Sequence, residues 1–227
     1  MHPRASSPAP SPGLESTWSD AAAAGTRPLI VALHGFGSSE RDLAGLAGFF
    51  TAVDLVALRA PFAQGTGFMW FPISTPGAPD PAAVDAAAGR VAGWLDAEVA
   101  ADRPVALLGF SQGGAVALQA LRRAPRRYAA AVVLSGFVAP GSVPGDEVLA
   151  DRRTPVFWGR DVADPVIAAV AIERTSAYLP RHSTLTSRTY PGVGHGIGRT
   201  ELADVAQFLS TALSLVTSPQ TLHRSTT

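Results

Sequence analysis

The sequence lacks cysteine altogether. Without thiol groups the chain can form no disulfide, use no thiolate nucleophile and hold no cysteine-ligated metal or iron–sulfur cluster. Long apolar runs are also absent, since none reaches the roughly 18 to 20 residues that a membrane span needs. The first 28 residues contain Pro, Ser and Ala but not the apolar stretch of about 7 to 15 residues that a secretory signal requires. We therefore expect no membrane span and a cytoplasmic location.

Charge is scarce and evenly balanced. Charged residues make up 16% of the chain, with 18 basic and 18 acidic side chains and a formal net charge of zero. Proteins that bind nucleic acid or anionic lipid carry a basic patch or stripe, and no sustained run of either sign is found here. The sequence therefore predicts no nucleic-acid partner, and it leaves the oligomeric state open.

Apolar residues, by contrast, are plentiful enough for one packed domain. The chain has 227 residues, of which 47% are hydrophobic, and this supports a sizeable core. The first residues are dominated by Pro and Ser, a composition that buries little. We predict a flexible N-terminal tail over 1–13, a single domain over 14–217 and a flexible C-terminal tail over 218–227.

Within that domain, apolar runs of strand length alternate with longer Ala-rich segments of helical spacing. The predicted strands lie within 14–19, 29–35, 52–61, 104–110, 128–136, 154–159 and 183–190. The predicted helices span 40–50, 81–99, 115–123, 165–179 and 201–215. Apolar strands that alternate with helices predict an α/β fold, with a mostly parallel sheet covered by helices on both faces. The connection over 136–154 is rich in Gly and Pro, so we expect no large lid there.

Ser111 stands in the motif Gly-Phe-Ser-Gln-Gly, directly between a predicted strand and a predicted helix. One interpretation is a serine that caps the helix. The other is a nucleophile elbow, which requires a strand before the serine and a helix after it. Glycines on both sides suit the second, because so tight a turn leaves no room for Cβ atoms. We favour Ser111 as a nucleophile.

A serine nucleophile needs a base, and the base needs a carboxylate. His195 lies in the glycine-dense loop of "YPGVGHGIG", after one predicted strand and before the last helix. A loop of this kind projects a ring into a site, whereas the alternative is a loop histidine that bonds only to backbone. His2, His182 and His223 lie in the tails or in a polar connection. His195 is therefore the candidate base.

Two acids follow the strand at 154–159, namely Asp161 and Asp164. Asp164 precedes a proline that suits the first turn of a helix, so Asp164 also fits the role of a helix cap. The end of a strand is, however, where a triad carboxylate lies. We favour Asp164 and keep Asp161 as the alternative.

The segment "LHGFGSSE" follows the first regular strand. Acyl transfer generates an oxyanion, which two backbone N–H groups stabilise. We expect these donors to be the N–H of Gln112, next to the serine, and that of Phe36. Glycine-rich loops also bind phosphate, but the spacing of a dinucleotide loop fails after Gly37. His34 is interpreted as a residue that braces this loop.

Four motifs in this order, "LHGFGSSE", "GFSQGG", "ADPVI" and "GVGHGI", resemble those of the α/β-hydrolase superfamily. Within it the chain resembles the phospholipase/carboxylesterase family of small serine esterases, which includes the acyl-protein thioesterases. The resemblance runs from about residue 29 to 215. It implies Ser111 as nucleophile, Asp164 as acid, His195 as base, and the N–H groups of Phe36 and Gln112 as the oxyanion hole. Two departures occur: Trp158-Gly159 replaces the family's His-Gly, and the gap from there to Asp164 is two residues longer.

The segment "RAPFAQGTGFMWFPI" is similar to the family's proline-bearing loop and aromatic cluster beside the acyl pocket. Its residues are predicted to line the pocket, with core packing under a loop as the alternative. The predicted pocket residues are Phe68, Met69, Trp70 and Phe71. The predicted substrate is a small-molecule ester with a short or medium acyl chain.

The predicted reaction requires no metal and no organic cofactor. Thioesters and lysophospholipids enter only through the family resemblance. Amide or lactone hydrolysis on the same triad is a further alternative, and a hydrolase fold that only binds a partner is another. That last interpretation predicts a missing triad member, and none is missing from the sequence.

Overall fold

The computed structural model describes most of the chain. The described residues are 13–19, 23, 25–73 and 75–217. The predicted tails over 1–13 and 218–227 lie outside these residues, apart from Gly13.

Nine strands and six α-helices are found in the described part, together with a 3₁₀ helix at Ala47–Phe49. The strands are β1 (Ser16–Trp18), β2 (Leu29–Leu33), β3 (Asp54–Leu58), β4 (Phe62–Gln64), β5 (Gly67–Met69), β6 (Val105–Phe110), β7 (Ala130–Leu134), β8 (Pro155–Arg160) and β9 (Thr184–Thr189). The helices are α1 (Glu40–Ala44), α2 (Pro81–Glu98), α3 (Gln112–Arg123), α4 (Gly145–Arg152), α5 (Ala169–His182) and α6 (Arg199–Thr217).

Seven strands form one sheet in the order β1-β3-β2-β6-β7-β8-β9. All neighbours are parallel except β1, which pairs with β3 in the antiparallel direction. The other two strands form a separate hairpin, β4 with β5. The α/β fold with a mostly parallel sheet is therefore confirmed. In such a sheet, the loops that follow the strands meet at one edge and form the ligand site.

Helices cover both faces of the sheet. The strand β2 is apolar at every position because its side chains pack against helices on both faces. Leu29, Val31 and Leu33 pack in one core with residues of α2, α3 and α5. Ile30 and Ala32 point to the other face, where residues of α1 and α6 complete a second core. Since successive side chains of a strand alternate between faces, a strand covered on both sides must be apolar throughout.

Three predicted helices differ from the observed ones by three or more residues at one or both ends. The helix predicted over 40–50 ends at Ala44, where Gly45 follows, and it resumes as a 3₁₀ turn. Glycine weakens a helix, which accounts for the break. The helix predicted from 115 already begins at Gln112, whereas the one predicted from 165 begins only at Ala169. In the last case the N–H groups of Val166 and Ile167 donate to the side chain of Asp164, so the helix does not begin there.

The connection over 136–154, for which no large lid was predicted, contains one short helix, α4. Its first turn carries Asp146 and Glu147, which favour a helix N-terminus. The buried Arg122 of α3 forms two 2.8 Å hydrogen bonds to Asp146, and these fasten α4 to the domain. The glycines and prolines before α4 concealed this short helix in the sequence. It is no lid domain, and between β7 and β8 the described chain holds no other helix.

Candidate active site

Ser111 is the single residue between β6 and α3. Its backbone has φ 53° and ψ −115°, a conformation that a residue with a side chain adopts only at a cost in free energy. The Ser111 N–H donates to the carbonyl of Leu134 on β7, 2.9 Å away. The hydroxyl makes no helix-capping hydrogen bond, so the capping interpretation is wrong. This sharp turn leaves the hydroxyl available to the edge of the sheet where the loops meet.

The flanking glycines allow the backbones to approach closely. A Cβ on Gly113 would lie 2.0 Å from the carbonyl oxygen of Leu33 on β2. A Cβ on Gly109 would lie 2.3 Å from the carbonyl oxygen of Gly113 itself. Real Cβ contacts are never so short, so both positions require glycine, as the sequence predicted.

His195 brings its ring between the serine and an acid. Its Nε2 lies 2.9 Å from the hydroxyl oxygen of Ser111, and its Nδ1 lies 2.8 Å from a carboxylate oxygen of Asp164. An ionised carboxylate only accepts hydrogen bonds, so Nδ1 carries the proton and Nε2 is free to accept one. The ring of Phe110 packs against the imidazole, with the centroids 5.1 Å apart. Ser111, His195 and Asp164 thus form one hydrogen-bonded chain.

Asp164 is held as an anion although it is buried. Its side chain is 1% exposed, and burial by itself raises the pKa of a carboxyl group. Hydrogen bonds from His195 and from the N–H groups of Val166 and Ile167, at 2.8 and 3.1 Å, outweigh that effect and lower the pKa of Asp164. Asp164 does not cap α5, whose N-cap is Ala168. The helix-cap interpretation of Asp164 is therefore wrong.

Asp161 is also buried but does not touch the imidazole. One of its oxygens accepts the N–H of Ala163 at 2.9 Å, and the other accepts the N–H of Gly194 at 2.7 Å. These backbone hydrogen bonds lower the pKa of Asp161. Gly194 directly precedes His195 and has φ 61°. Asp161 therefore fixes the loop that carries the histidine, while Asp164 binds the ring.

The loop after β2 lies against the serine. A Cβ on Gly35 would be 2.9 Å from the ring of Phe110 and 3.5 Å from the Cβ of Ser111. Among the described residues, the N–H groups of Phe36 and Gln112 donate to no protein acceptor. Both amides are therefore available to a ligand beside the hydroxyl.

His34 braces this loop, as the sequence suggested. It is 1% exposed, its Nδ1 lies 2.7 Å from the carbonyl of Gly35, and its Nε2 accepts the N–H of Ala60 at 3.0 Å. Burial lowers the pKa of His34, in keeping with a neutral ring. The indole of Trp70 donates to the His34 carbonyl at 2.9 Å, which fixes the loop from the other side.

The side chain of Gln112 has a role that the sequence did not reveal. Its oxygen accepts the N–H of Trp70 at 2.8 Å, and its amide donates to the carbonyl of Phe71 at 2.7 Å. The residue after the serine therefore connects the elbow to the aromatic segment. Only the motif position of Gln112 marks it in the sequence, and partners 42 and 41 residues away leave no local signal.

An apolar cleft of about 360 Å³ opens at the serine. Of the four predicted pocket residues, Phe71 lines it. The others do not: Trp70 is 1% exposed and lies against His34, Phe68 lies under the guanidinium of Arg59, and Met69 pairs with Phe62 in the hairpin. The hairpin and the burial of the indole turn these three side chains away.

Most of the cleft lining comes from loops that follow strands. The remaining lining residues are Gly35, Phe36, Ser38, Ile73, Thr75, Pro76, Gly77, Pro79, Phe110, Ser111, Gln112, Phe137, Val166, Ile167, Ala168 and His195. Val166 and Ile167 were not predicted as lining residues, although two apolar residues after the Asp164-Pro165 pair were a usable signal. The lining is thus mostly apolar.

Glu201 is a third buried acid beside the histidine loop. It is 1% exposed. One of its oxygens accepts the N–H of Gly198 at 3.3 Å, and the other has no partner among the described residues. That free oxygen lies 2.2 Å from where a Cβ on Gly159 would be. Burial, with a further contribution from Asp204, raises the pKa of Glu201 to about 7.

We expect Glu201 to make the fold less stable as the pH rises. The folded state binds the proton more tightly than the unfolded chain, whose glutamate has a pKa near 4.5. Its contribution is therefore full below about pH 4.5, declines up to about pH 7, and is lost above that. Between pH 4.5 and 8 the free energy of unfolding of Glu201→Gln should rise relative to wild type by roughly 2 to 3 kcal/mol.

Urea unfolding at several pH values measures this difference. Glu147→Gln is the matched control, since Glu147 is likewise the third residue of a helix but is exposed. This variant controls for the loss of a glutamate from the first turn of a helix outside a buried site. A constant difference for Glu201→Gln would show that the buried carboxyl does not titrate in this range.

Among the described residues, no three His, Asp or Glu side chains gather as metal ligands would. The same part of the chain has no helix with the length and apolar character needed to span a bilayer.

Comparison with known proteins gives consistent results. A family model described as Phospholipase/Carboxylesterase matches residues 20–213. A protein of Oryza sativa subsp. japonica, named as a probable carboxylesterase, is 30% identical over 215 residues, which cover 85% of this chain and 92% of the rice protein. Acyl-protein thioesterase 1 of Debaryomyces hansenii is 33% identical over 119 residues, 51% of each chain. The crystal structure of esterase PE8 superposes with a TM-score of 0.72 at 25% identity, covering 88% of this chain and 99% of that one.

Proposed function

The chain belongs to the phospholipase/carboxylesterase family and is a hydrolase, and from that premise we propose that it cleaves carboxylic esters through a triad of Ser111, His195 and Asp164. One observation carries the proposal. Oxygen, imidazole and carboxylate follow one another at 2.9 and 2.8 Å, with a proton on the nitrogen that faces the acid. This is the arrangement in which a serine hydroxyl can lose its proton as it attacks.

The proposed cycle begins when His195 Nε2 takes the proton of Ser111 and the serine oxygen attacks the ester carbonyl. The N–H groups of Phe36 and Gln112 stabilise the oxyanion. His195 then protonates the departing alcohol, which leaves an acyl group on the serine. Water, activated by the same nitrogen, attacks this acyl-enzyme and releases the acid. Asp164 stabilises the imidazolium at both steps.

The cleft supports short or medium acyl chains as substrates. At about 360 Å³ it is near the lower end of the range of roughly 300 to 1,000 Å³ typical of small-molecule sites. Its lining includes no Asp, Glu, Lys or Arg side chain, which suits an uncharged hydrocarbon chain.

The predicted cytoplasmic location remains a prediction.

Thioester cleavage is the second candidate. The same triad would perform it, and the Debaryomyces hansenii relative is named a thioesterase. A thiol leaving group changes neither the attack nor the oxyanion. The two candidate functions therefore differ only in the leaving group that the protein accepts, an alcohol or a thiol.

Initial rates on p-nitrophenyl acetate, butyrate and octanoate test the proposal. We expect turnover of all three, with the highest kcat/KM on butyrate or octanoate because each buried methylene adds binding energy. Butyryl-coenzyme A and butyryl-N-acetylcysteamine test thioester cleavage in parallel. No release of p-nitrophenol above the buffer rate from any ester would overturn the proposed function.

A further inference from the structure

Arg174 of α5 is a half-buried arginine that pairs with no acid among the described residues. Its Nε donates to the carbonyl of Val138 at 2.9 Å, and its Nη2 donates to the carbonyl of Gly77 at 2.9 Å. Burial lowers the pKa of Arg174, and the nearby charge of Arg122 acts in the same direction. A desolvated guanidinium that bonds only to backbone is costly, so its two contacts call for an explanation.

The bond from Arg174 to the Gly77 carbonyl fixes one wall of the cleft. Residues 72, 73 and 75–79 form a segment that supplies several lining residues, among them Ile73 and Pro76. At its ends this segment is held by the Gln112 bond to Phe71 and by the N-cap of α2. Between those ends, the bond from Arg174 is the only hydrogen bond found among the described residues that ties the segment to another element.

The position of Gly77 accepts only a glycine without strain. Its φ is 75°, and a Cβ at this position would lie 2.6 Å from the Cβ of Ala168. Ala168 lines the cleft just before α5 begins. The segment therefore lies tightly against the start of the helix that carries Arg174.

The other bond of Arg174, to the Val138 carbonyl, fixes a second wall of the cleft. Phe137 lines the cleft, and both backbone polar groups of the next residue, Val138, are held by α5. Arg174 binds the Val138 carbonyl, and the hydroxyl of Thr175 accepts the Val138 N–H at 2.9 Å. The same hydroxyl donates to the carbonyl of Ala171 at 2.7 Å, so it cannot turn away.

We propose that Arg174 is a positioning residue that sets the acyl-chain preference by holding these two walls at a fixed separation. The proposal rests on the proposed esterase function. An acetyl group stays near Ser111 and the oxyanion donors and makes few contacts with these two walls. A longer chain packs between them, and each buried methylene contributes about fourfold in binding. When one wall is loosened, that gain shrinks with every added methylene.

The test measures kcat and KM for Arg174→Gln, Arg174→Lys and wild type on p-nitrophenyl acetate, butyrate, hexanoate and octanoate. For Arg174→Gln we expect about a tenfold lower kcat/KM on octanoate, mostly through KM, and less than a twofold change on acetate. Arg174→Lys keeps the charge and one donor group, so it should recover part of the loss. Arg181→Gln is the matched control, an exposed arginine near the end of the same helix, and it should behave as wild type.

A purely structural role predicts a different pattern. Equal losses on acetate and octanoate, with a lower melting temperature, would overturn the proposal, as would an unchanged chain-length profile in both Arg174 variants. If Arg174→Gln does not fold, the Lys variant decides by the same slope of KM against chain length. Failure of wild type on every ester would instead overturn the proposed function, so the two failures are distinguishable.

Discussion

Replacement of Ser111 by alanine is expected to lower kcat on p-nitrophenyl butyrate by a factor on the order of 10⁵ to 10⁶. The change removes the oxygen that attacks the carbonyl in the proposed cycle and leaves the cleft and the two backbone donors in place. The residual rate should therefore reflect binding and oxyanion stabilisation alone. The measurement is steady-state kinetics on enzyme prepared separately from wild type, since a trace of wild type would mask so large a loss.

Ser135 supplies the matched control for that experiment. It follows the parallel strand β7, it has φ 45°, and it is 2% exposed. Its hydroxyl has no hydrogen-bond partner among the described residues. Ser135→Ala should retain wild-type turnover, because no proposed step uses this hydroxyl. Full hydrolysis by Ser111→Ala would assign the nucleophile to another residue.

The second large effect is expected at Asp164. In Asp164→Asn the oxygen can still accept the N–H groups of Val166 and Ile167, which presents the amide NH₂ to His195 Nδ1. Two donors cannot face each other, so the ring takes the tautomer with its proton on Nε2. That tautomer cannot accept the proton of the serine. We expect kcat to fall by about 10⁴.

Asp161→Asn distinguishes the two acids. Its side chain binds only backbone, and the change disturbs the bond to Gly194 rather than the imidazole. A small displacement of the histidine loop is expected to lower kcat by no more than about a hundredfold. Circular dichroism and melting temperature monitor folding in both variants. A larger loss in Asp161→Asn than in Asp164→Asn would contradict the assignment of the acid.

Patterns that are local in sequence predicted the fold and the centre of the site. The apolar strands at β2, β6 and β7 follow from the need to cover a parallel sheet on both faces. Gly109 and Gly113 flank the serine because backbone oxygens occupy the space where a Cβ would be. The order of Ser111, Asp164 and His195 is readable because each follows a strand, and parallel strands end at the same edge.

The structural features that the sequence did not predict depend on contacts between residues far apart in the chain. Trp70 does not line the cleft, because its indole donates to the buried carbonyl of His34. The run of aromatic residues in the sequence gives no sign of this hydrogen bond. The helix α4 is held by the ion pair from Arg122 to Asp146, 24 residues away. Arg174 reaches Gly77 across 97 residues. Periodicity and local propensity contain no information about such pairs.

The backbone of Ser111 has a consequence for selection in the laboratory. A side chain held at φ 53° costs about 1 to 3 kcal/mol, a large part of the roughly 5 to 15 kcal/mol that keeps a domain folded. Glycine avoids that cost and has no hydroxyl. A library screened for heat resistance alone is therefore expected to favour glycine at position 111, and its most thermostable members would lose the proposed nucleophile.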